Sequence, residues 1–336
     1  MIFTPKKMLV TGGCGFIGSN FIHYLAAHAP NIEIINLDNL SFAANPDNLK
    51  SLPANAKYQF VHGDITDKAL IKKILHENNI ETIVHFAAES HVDRSITDPG
   101  SFVHSNIVGT YTLLEAARQV WLEEKKLTQK DCLFYHISTD EVYGTLGPND
   151  PAFTEQTPYA PNSPYSASKA GSDHLVRAYF ETYGLPMVIS NCSNNYGPRQ
   201  HGEKLIPTII RSCLNEQPIP VYGDGSNIRD WLYVMDHCGA IYQLVQKGVR
   251  GECYNIGGNQ EKNNLTVVKT ICQLLDKIKP RANGASYADL ISFVKDRLGH
   301  DWRYAINPSK MEALGWQPKE TFESGILKTL DFYLNC

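Results

Sequence analysis

The sequence predicts an α/β fold: a doubly wound parallel sheet with a smaller C-terminal lobe. Three observations carry this expectation. Short apolar runs alternate with amphipathic stretches through the first half of the chain. A glycine-rich turn sits at the first strand-to-helix junction. Beyond about residue 190 the texture changes, with Gly, Pro and Asn frequent and the apolar runs shorter.

In chain order, Met8-Leu9-Val10, Ile32 to Leu37, Tyr58 to Val61, Thr82 to Phe86 and Leu133 to Ser138 read as buried strands, with a further strand at Pro186 to Ser190. Phe16 to His28, Lys68 to Asn78, Ser101 to Trp121 and Pro164 to Tyr183 read as the helices between or after them. Strand–helix alternation calls for right-handed crossovers and parallel pairing. Later helices are expected at Leu205 to Asn215, Met235 to Lys247, Thr266 to Lys277 and Thr321 to Leu334. Residues 1–190 form the expected first domain and 191–336 mainly the second lobe, with a segment near 235–256 returning to the first.

The 336 residues carry a formal net charge of −4 with both signs interspersed, which argues against a general nucleic-acid binder. No apolar run reaches the roughly 20 residues needed to span a bilayer. The first ten residues, with Lys6 and Lys7, do not resemble a signal peptide. The eight cysteines are scattered without a CxxC pair, as expected of free thiols in the cytoplasm. His85, His91 and Asp93 do not form a metal-ligand set, and no metal is expected.

The glycine-rich turn reads Val10-Thr11-Gly12-Gly13-Cys14-Gly15-Phe16-Ile17-Gly18. Glycines there permit a tight turn and let the backbone approach a pyrophosphate, which the free N–H groups of the helix start can bind. A lone GxGxxG also fits an ordinary turn. Here Asp38 follows the next strand, 20 residues after Gly18, where a carboxylate can hold ribose hydroxyls. Neither Arg nor Lys lies between Asp38 and Lys50 to meet a 2′-phosphate, so the expected cofactor of this Rossmann-type sheet is NAD. Asp64 and Ile65 close the third strand and can face an adenine; Thr66 or Asp67 equally reads as a helix cap. Ala87, Ala88, Glu89 and Ser90 end the fourth strand, where small side chains let the backbone lie against the cofactor.

Ser163 and Pro164 suit the cap and first turn of a helix on which Tyr165 and Lys169, four apart, share a face. Alone, the pair reads as a surface contact. Behind a dinucleotide loop it reads as a base for a substrate hydroxyl, with the ammonium lowering the phenol toward working pH. Thr139-Asp140-Glu141 lies at the end of the fifth strand, where ligands bind in such sheets. A solvated acidic turn is the bland alternative. Oxidation alone does not need two carboxylates, whereas elimination of water needs one group to take a carbon-bound proton and another to protonate the departing hydroxyl.

The stretches TGGCGFIGS, HFAAESHVDRSI, HISTDEVYG, SPYSASKAGSDHLVRAY, NCSNNYGP, EKLIP, YGDGSNIRDWLYV, YNIGG and DRLGHDWRYAI span nearly the whole chain. Through them the chain resembles the extended short-chain dehydrogenase/reductase family, and the TDE triplet points to its branch that dehydrates sugar nucleotides. The resemblance implies dTDP-glucose as substrate, a lyase reaction and an internal redox cycle. Tyr165, supported by Lys169 and Thr139, takes the C4 hydroxyl proton as hydride passes to NAD. Glu141 removes the C5 proton, Asp140 protonates the C6 hydroxyl, and hydride returns to C6. It further implies that Phe16, Ile17, Asn39, Ser41, Ala87, Ala88, Glu89, Ser90 and Ser105 hold the cofactor, with Asn194 near its nicotinamide. Asn195, Lys204, Leu205, Tyr222, Arg229, Asn264, Arg297 and His300 are implied on the nucleotide side of the substrate. Arg229 and Arg297 suit a diphosphate as forked donors, and either alone reads equally as a surface ion pair. The helices 101–121 and 164–183 resemble those that pair across a homodimer, although their apolar faces could equally be core. The chain departs from the family pattern at Arg199-Gln200-His201-Gly202, at Leu298 and after Asp38. Competing readings are another sugar-nucleotide dehydratase or 4-epimerase of the same superfamily and an NAD-sensing scaffold without catalysis.

Overall fold

The computed structural model describes residues 2–296 and 299–335. Its centre is a parallel sheet. Strands β1 (Lys7–Thr11), β2 (Glu33–Asp38), β3 (Tyr58–His62), β4 (Thr82–His85), β5 (Leu133–Thr139) and β6 (Met187–Cys192) supply six of its members. Along β1, Met8 and Val10 enter the core on one face and Leu9 enters the core on the other, as the two-residue period of a strand requires. Both faces are therefore covered.

On the first face lie α1 (Phe16–His28), through Phe21, Ile22 and Leu25, and a helix from later in the chain described below. On the second lie α2 (Lys68–Glu77), a helical run from 99 to 124, and α6 (Pro164–Tyr183). Short α3 (Val92–Thr97) precedes that run. The run is α-helical at α4 (Pro99–Phe102) and α5 (Thr110–Ala117), with wide π-type turns over Val103–Gly109 and Arg118–Glu124. Ser163 caps α6 in a reciprocal capping box with Ser166, Pro164 opens it, and Gly184, at φ +72°, ends it.

The second lobe holds β7 (Asn194–Tyr196), β8 (Ile219–Tyr222) and β9 (Ile228–Tyr233), with α7 (Leu205–Leu214) between the first two. The chain then returns. α8 (Val234–Lys247) packs on α1 through Ile241 and Leu244, and β10 (Cys253–Ile256) joins the edge of β6 in parallel. The main sheet so has seven strands in the order β10-β6-β5-β4-β1-β2-β3.

Afterwards β11 (Glu261–Asn263) completes a three-stranded sheet with β9 and β7, and β12 (Ile291–Val294) pairs with β8. α9 (Asn264–Ile278) buries Val267, Val268, Ile271, Cys272 and Leu275, a single helical face, against α7 and α11 (Phe322–Leu334). Short α10 (Ser309–Ala313) packs beside β10. Among the described residues no helix is long and apolar enough to cross a membrane. The strand order reverses at β1, between β2 and β4, and that switch opens a crevice beyond the strands' carboxyl ends.

Candidate active site

The glycine turn forms the head of this crevice. Gly12 has φ +71°, and a Cβ on it would sit 2.6 Å from the Ala87 nitrogen. A Cβ on Gly18 would sit 2.4 Å from the Gly12 oxygen. Side chains are thus excluded where β1 crosses into α1. Gly15 precedes α1 and offers no side-chain cap, and the first turn carries no acidic residue. The N–H groups at Phe16, Ile17 and Gly18 belong to the set that a helix cannot satisfy internally, so they suit an anion.

Asp38 ends β2 and is buried. Its carboxylate accepts from the Cys14 N–H at 2.9 Å and the Leu40 N–H at 2.8 Å, while burial pushes its pKa up. With Asn39, Ser41, Ile65, Ala87, Ala88, Glu89, Ser90 and Ser105 it lines a single cleft that runs on to Asn194. The Asn194 Oδ1 is buried and has no hydrogen-bond partner among the described residues. The cradle without Cβ atoms and this unpartnered amide fit a bound dinucleotide.

Asp64 is set back from the lining. It accepts from Asn39 Nδ2 at 2.9 Å and from the Thr66 N–H and hydroxyl at 2.8 and 2.7 Å, while Asp67 caps α2. Asp64 therefore orients Asn39, and only Ile65 of the expected pair reaches the cleft.

At the floor of the cleft, β5 ends in Thr139 and the chain turns through Asp140–Tyr143. Thr139 Oγ1 accepts from the Glu141 N–H at 3.3 Å and lies 3.3 Å from Asp140 Oδ1, toward which it donates. The turn closes at Gly144, whose φ of +93° brings its backbone so near the Ala160 carbonyl that a Cβ would lie 2.5 Å away. The first turn of α6 places Tyr165 in the same lining, where Thr139 pulls its phenol down against the larger effect of burial. All five expected catalytic residues, Thr139, Asp140, Glu141, Tyr165 and Lys169, line the same cleft.

Their electrostatics differ from the sequence expectation in one respect. Lys169 does not lower the phenol. Its Nζ donates to the Ile137 carbonyl at 2.7 Å and stands 3.4 Å from His136 Nε2, while burial and the neighbouring Glu141 push Tyr165 well above the usual range. Burial lowers Lys169 against the opposing pull of Asp173. Asp140 is 1% exposed, and its Oδ2 has no partner among the described residues. Burial, then Glu141 and Asp230, raise it well above the carboxylate range, which favours its protonated form.

Beneath the floor lies a polar layer that sequence reasoning missed. Asp173, one turn beyond Lys169, accepts from the Ser138 hydroxyl at 2.7 Å and the Tyr159 hydroxyl at 3.0 Å. Its other oxygen is 3.1 Å from His136 Nε2. Burial, then Lys169, push His136 down to about 4, so its ring is neutral. Asn191 Nδ2 donates to the Thr139 carbonyl at 3.1 Å and fixes the end of β5. The continuing four-residue spacing Tyr165–Lys169–Asp173 was the available signal. His85 is bonded to the Thr11 and Thr110 hydroxyls at 2.7 and 3.0 Å.

On the substrate side, Ser90, Asn195 and Lys204 line the cleft, and Lys204 donates to the Ser90 carbonyl at 2.9 Å. Leu205 opens α7 and Asn264 opens α9, outside the lining. Tyr222 and His300 form an edge-on pair with ring centroids 6.4 Å apart. Arg229 is buried and set back. It donates to the carbonyls of Ile228 and Asp301 at 2.7 and 2.9 Å, stands 4.2 Å over the Tyr304 ring, and lowers Asp140 slightly against the other influences. Arg297 lies outside the described residues. At the rim, Phe42 is gripped by Arg94, 3.7 Å above its ring, and by His201, 4.8 Å between centroids. Phe42, Gln200 and His201, at points where the chain departs from the family pattern, line the cleft.

A profile of the family described as GDP-mannose 4,6 dehydratase matches residues 9–329. A dTDP-glucose 4,6-dehydratase of Xanthomonas campestris pv. campestris (strain B100) is 55% identical over 327 residues, covering 97% of this chain and 92% of the relative. A crystal structure of dTDP-glucose 4,6-dehydratase from Bacillus anthracis in complex with NAD superposes with a TM-score of 0.86 at 45% identity, covering 98% of this chain and 96% of that one. One from Streptomyces venezuelae, also with NAD bound, gives a TM-score of 0.88 at 43% identity, covering 98% and 97%. With its glycine cradle, Tyr165–Lys169 helix and Thr139-Asp140-Glu141 strand end in one cleft, the chain belongs to the dTDP-glucose 4,6-dehydratases of the extended short-chain dehydrogenase/reductase family.

Proposed function

We infer that the chain is a lyase that converts dTDP-glucose to dTDP-4-keto-6-deoxyglucose and water, with NAD as its cofactor. The observation that carries this reading is Asp140, a buried carboxyl group whose pKa burial raises, lining one cleft with Glu141 and Tyr165. A 4-epimerase has no use for that acid; elimination of water requires it.

The helix-start N–H groups over Gly15, Phe16, Ile17 and Gly18 bind the pyrophosphate, and Asp38 with Asn39 and Ser41 takes the ribose. Ile65 packs on the adenine. Ala87, Ala88, Glu89, Ser90 and Ser105 form one wall, and Lys169 and Asn194 hold the nicotinamide end. When bound, the oxidised nicotinamide supplies a positive charge and carries hydride from C4 to C6.

Tyr165, supported by Thr139, removes the C4 hydroxyl proton, while Lys169 is held on the Ile137 carbonyl one turn away. A C4 ketone acidifies the C5 proton, which Glu141 takes. Asp140 gives its proton to the C6 hydroxyl as water leaves, and Glu141 returns its proton to C5. Asn195, Lys204, Leu205, Tyr222, Arg229, Asn264, Arg297 and His300 bind the nucleotide and diphosphate. Residues 1–190, with the return near 235–256, act as the cofactor domain, and the rest of 191–336 as the substrate lobe.

The chain works in the cytoplasm as a homodimer. Free thiols among the described cysteines suit a reducing compartment. Val103, Val108, Tyr111 and Tyr183 leave apolar surface exposed on the 99–124 run and α6, which supports pairing of these helices between two copies. Turnover of a panel of dTDP-, UDP-, CDP- and GDP-hexoses, with product identification, tests the function. The expected product is the 4-keto-6-deoxy sugar from the dTDP substrate; a C4 epimer alone would overturn it.

A further inference from the structure

Asn195 is the middle residue of β7 and lines the cleft on its substrate side. Its amide is held at both ends. Nδ2 donates to the Ser193 carbonyl at 3.0 Å, and Oδ1 lies 2.9 Å from His237 Nδ1. The main-chain carbonyl of Asn195 also accepts from Gln200 Nε2 at 2.9 Å. A carbonyl can only accept, so the Ser193 contact decides which end of the amide is nitrogen. Oδ1 then faces His237, and that contact is a hydrogen bond only when Nδ1 carries the proton.

His237 reaches this point because β9, which pairs with β7 with Leu232 opposite Asn195, runs straight into α8. In the first turn of α8 the ring is fully buried, and burial pushes its pKa down to about 3. A neutral imidazole has one N–H and one bare nitrogen. Nε2 has no partner among the described residues, so a hydrogen there would be a buried donor without an acceptor. On Nδ1 the same hydrogen meets Asn195 Oδ1. Two hydrogens sit on Asn195 Nδ2, and the Ser193 carbonyl takes one of them. The second remains for a ligand in the cleft. The oxygens of an ionised diphosphate accept hydrogen bonds, whereas a reversed amide would turn its own oxygen toward them and repel them.

We propose that His237 is a positioning residue for the substrate: as the Nδ1–H tautomer it fixes the Asn195 amide so that the second Nδ2–H meets a diphosphate oxygen of the sugar nucleotide. The imidazole itself stays outside the cleft lining and acts only through Asn195. A helix that belongs to the cofactor side of the fold thereby sets the hydrogen-bonding sense of a group on the substrate side.

The inference rests on the dehydratase reading above, and the test separates the two. Steady-state turnover of dTDP-glucose and calorimetric binding of dTDP are compared for the wild-type holoenzyme, His237→Leu and His237→Asn. Losing one hydrogen bond to a charged group weakens binding by about tenfold or more. His237→Leu should therefore raise KM for dTDP-glucose and Kd for dTDP by about tenfold, with kcat changed by less than about twofold, the pattern of lost ground-state binding. Asparagine carries its Nδ2 where imidazole carries Nδ1, so His237→Asn should restore most of both. Equal weakening by Leu and Asn would mean that the ring only fills space, and would refute the proposal. Unchanged binding in His237→Leu, or a fall in kcat alone, refutes it as well. If the leucine variant does not fold, His237→Gln replaces it with the same expectation, because its amide reaches the Nε2 position and not the Nδ1 position. Wild-type enzyme that binds dTDP but makes no 4-keto-6-deoxy sugar would instead refute the dehydratase reading, and the dTDP comparison would still decide the role of His237.

Discussion

At the floor of the cleft, Tyr165, Lys169 and Asp140 are all less than a tenth exposed, and beneath them Asp173 ties Ser138, Tyr159 and His136 together. At the rim, Phe42 is 43% exposed and is held by the face of Arg94 and the ring of His201. The floor is built from polar groups removed from water, which are costly to leave unpaired and hence fixed in place. Contacts at the rim each contribute little and can be remade. In the proposed reading, reaction type is set at the floor, whereas the grip on cofactor and nucleotide is tuned at the rim.

Changes at the floor should have the largest effects. Tyr165→Phe and Glu141→Gln should each lower turnover by about 10²–10⁴. Glu141→Gln should still oxidise C4, leaving reduced cofactor on the enzyme without water loss. Near-normal dehydration by either variant would break the distinction between the two regions.

Asp173→Ala should strand the hydroxyls of Ser138 and Tyr159, costing about 1–3 kcal/mol for each buried group left unsatisfied. Denaturant melts would record this, and Asp173→Asn, which keeps an acceptor, should recover part of it. A melt unchanged by the alanine would mean that the layer beneath the floor carries no stability.

Asp140 gives a smaller effect of opposite sign. Its pKa is raised in the folded chain, so the folded state holds a proton that the unfolded state has lost. Stability then falls as pH rises above the unfolded value of about 3.9. Asp140→Asn should remove this penalty, so the variant should be inactive yet melt higher than wild type at neutral pH. The difference should vanish below about pH 4, where both states are protonated. A lower melting temperature at neutral pH would contradict the raised pKa of Asp140.

Phe42→Ala should have the smallest effect. Loss of an exposed cation–π contact, about 0.5–1 kcal/mol, corresponds to a two- to fivefold weaker hold on the cofactor. The rate of the chemical step at saturating cofactor should not change. A large fall in that rate would mean that the rim takes part in the chemistry.

The floor was readable in the sequence because its residues sit at fixed offsets from regular elements. Thr139 to Glu141 end an apolar run, and Tyr165 and Lys169 follow a Ser-Pro helix start. What Lys169 touches was not readable. Its partner, the Ile137 carbonyl, lies 32 residues away and meets it only when α6 packs on β5. Asp173 falls on the same helix face, yet a carboxylate there suggests solvent until the hydroxyls of Ser138 and Tyr159 are seen to close on it. The rim was hidden for a different reason, since Phe42 and His201 come from separate irregular segments without a period. The π-type turns over Val103–Gly109 and Arg118–Glu124 had no signal either, because the apolar spacing still suits one continuous helix. In the second lobe, β7 and β11 span only three residues each, too few for an alternation to show.

The return of the chain to β10 bears on how the molecule is made. The last strand of the main sheet leaves the ribosome some sixty residues after β6, with three strands and two helices of other structure in between. Until residue 256 has emerged, Met187–Cys192 is an open edge of a strand whose residues are all buried in the finished fold. Such an edge is a template for pairing with another chain. Synthesis of the first 192 residues alone should therefore give an aggregation-prone product, and a nascent chain paused in that interval would be a natural client for a chaperone.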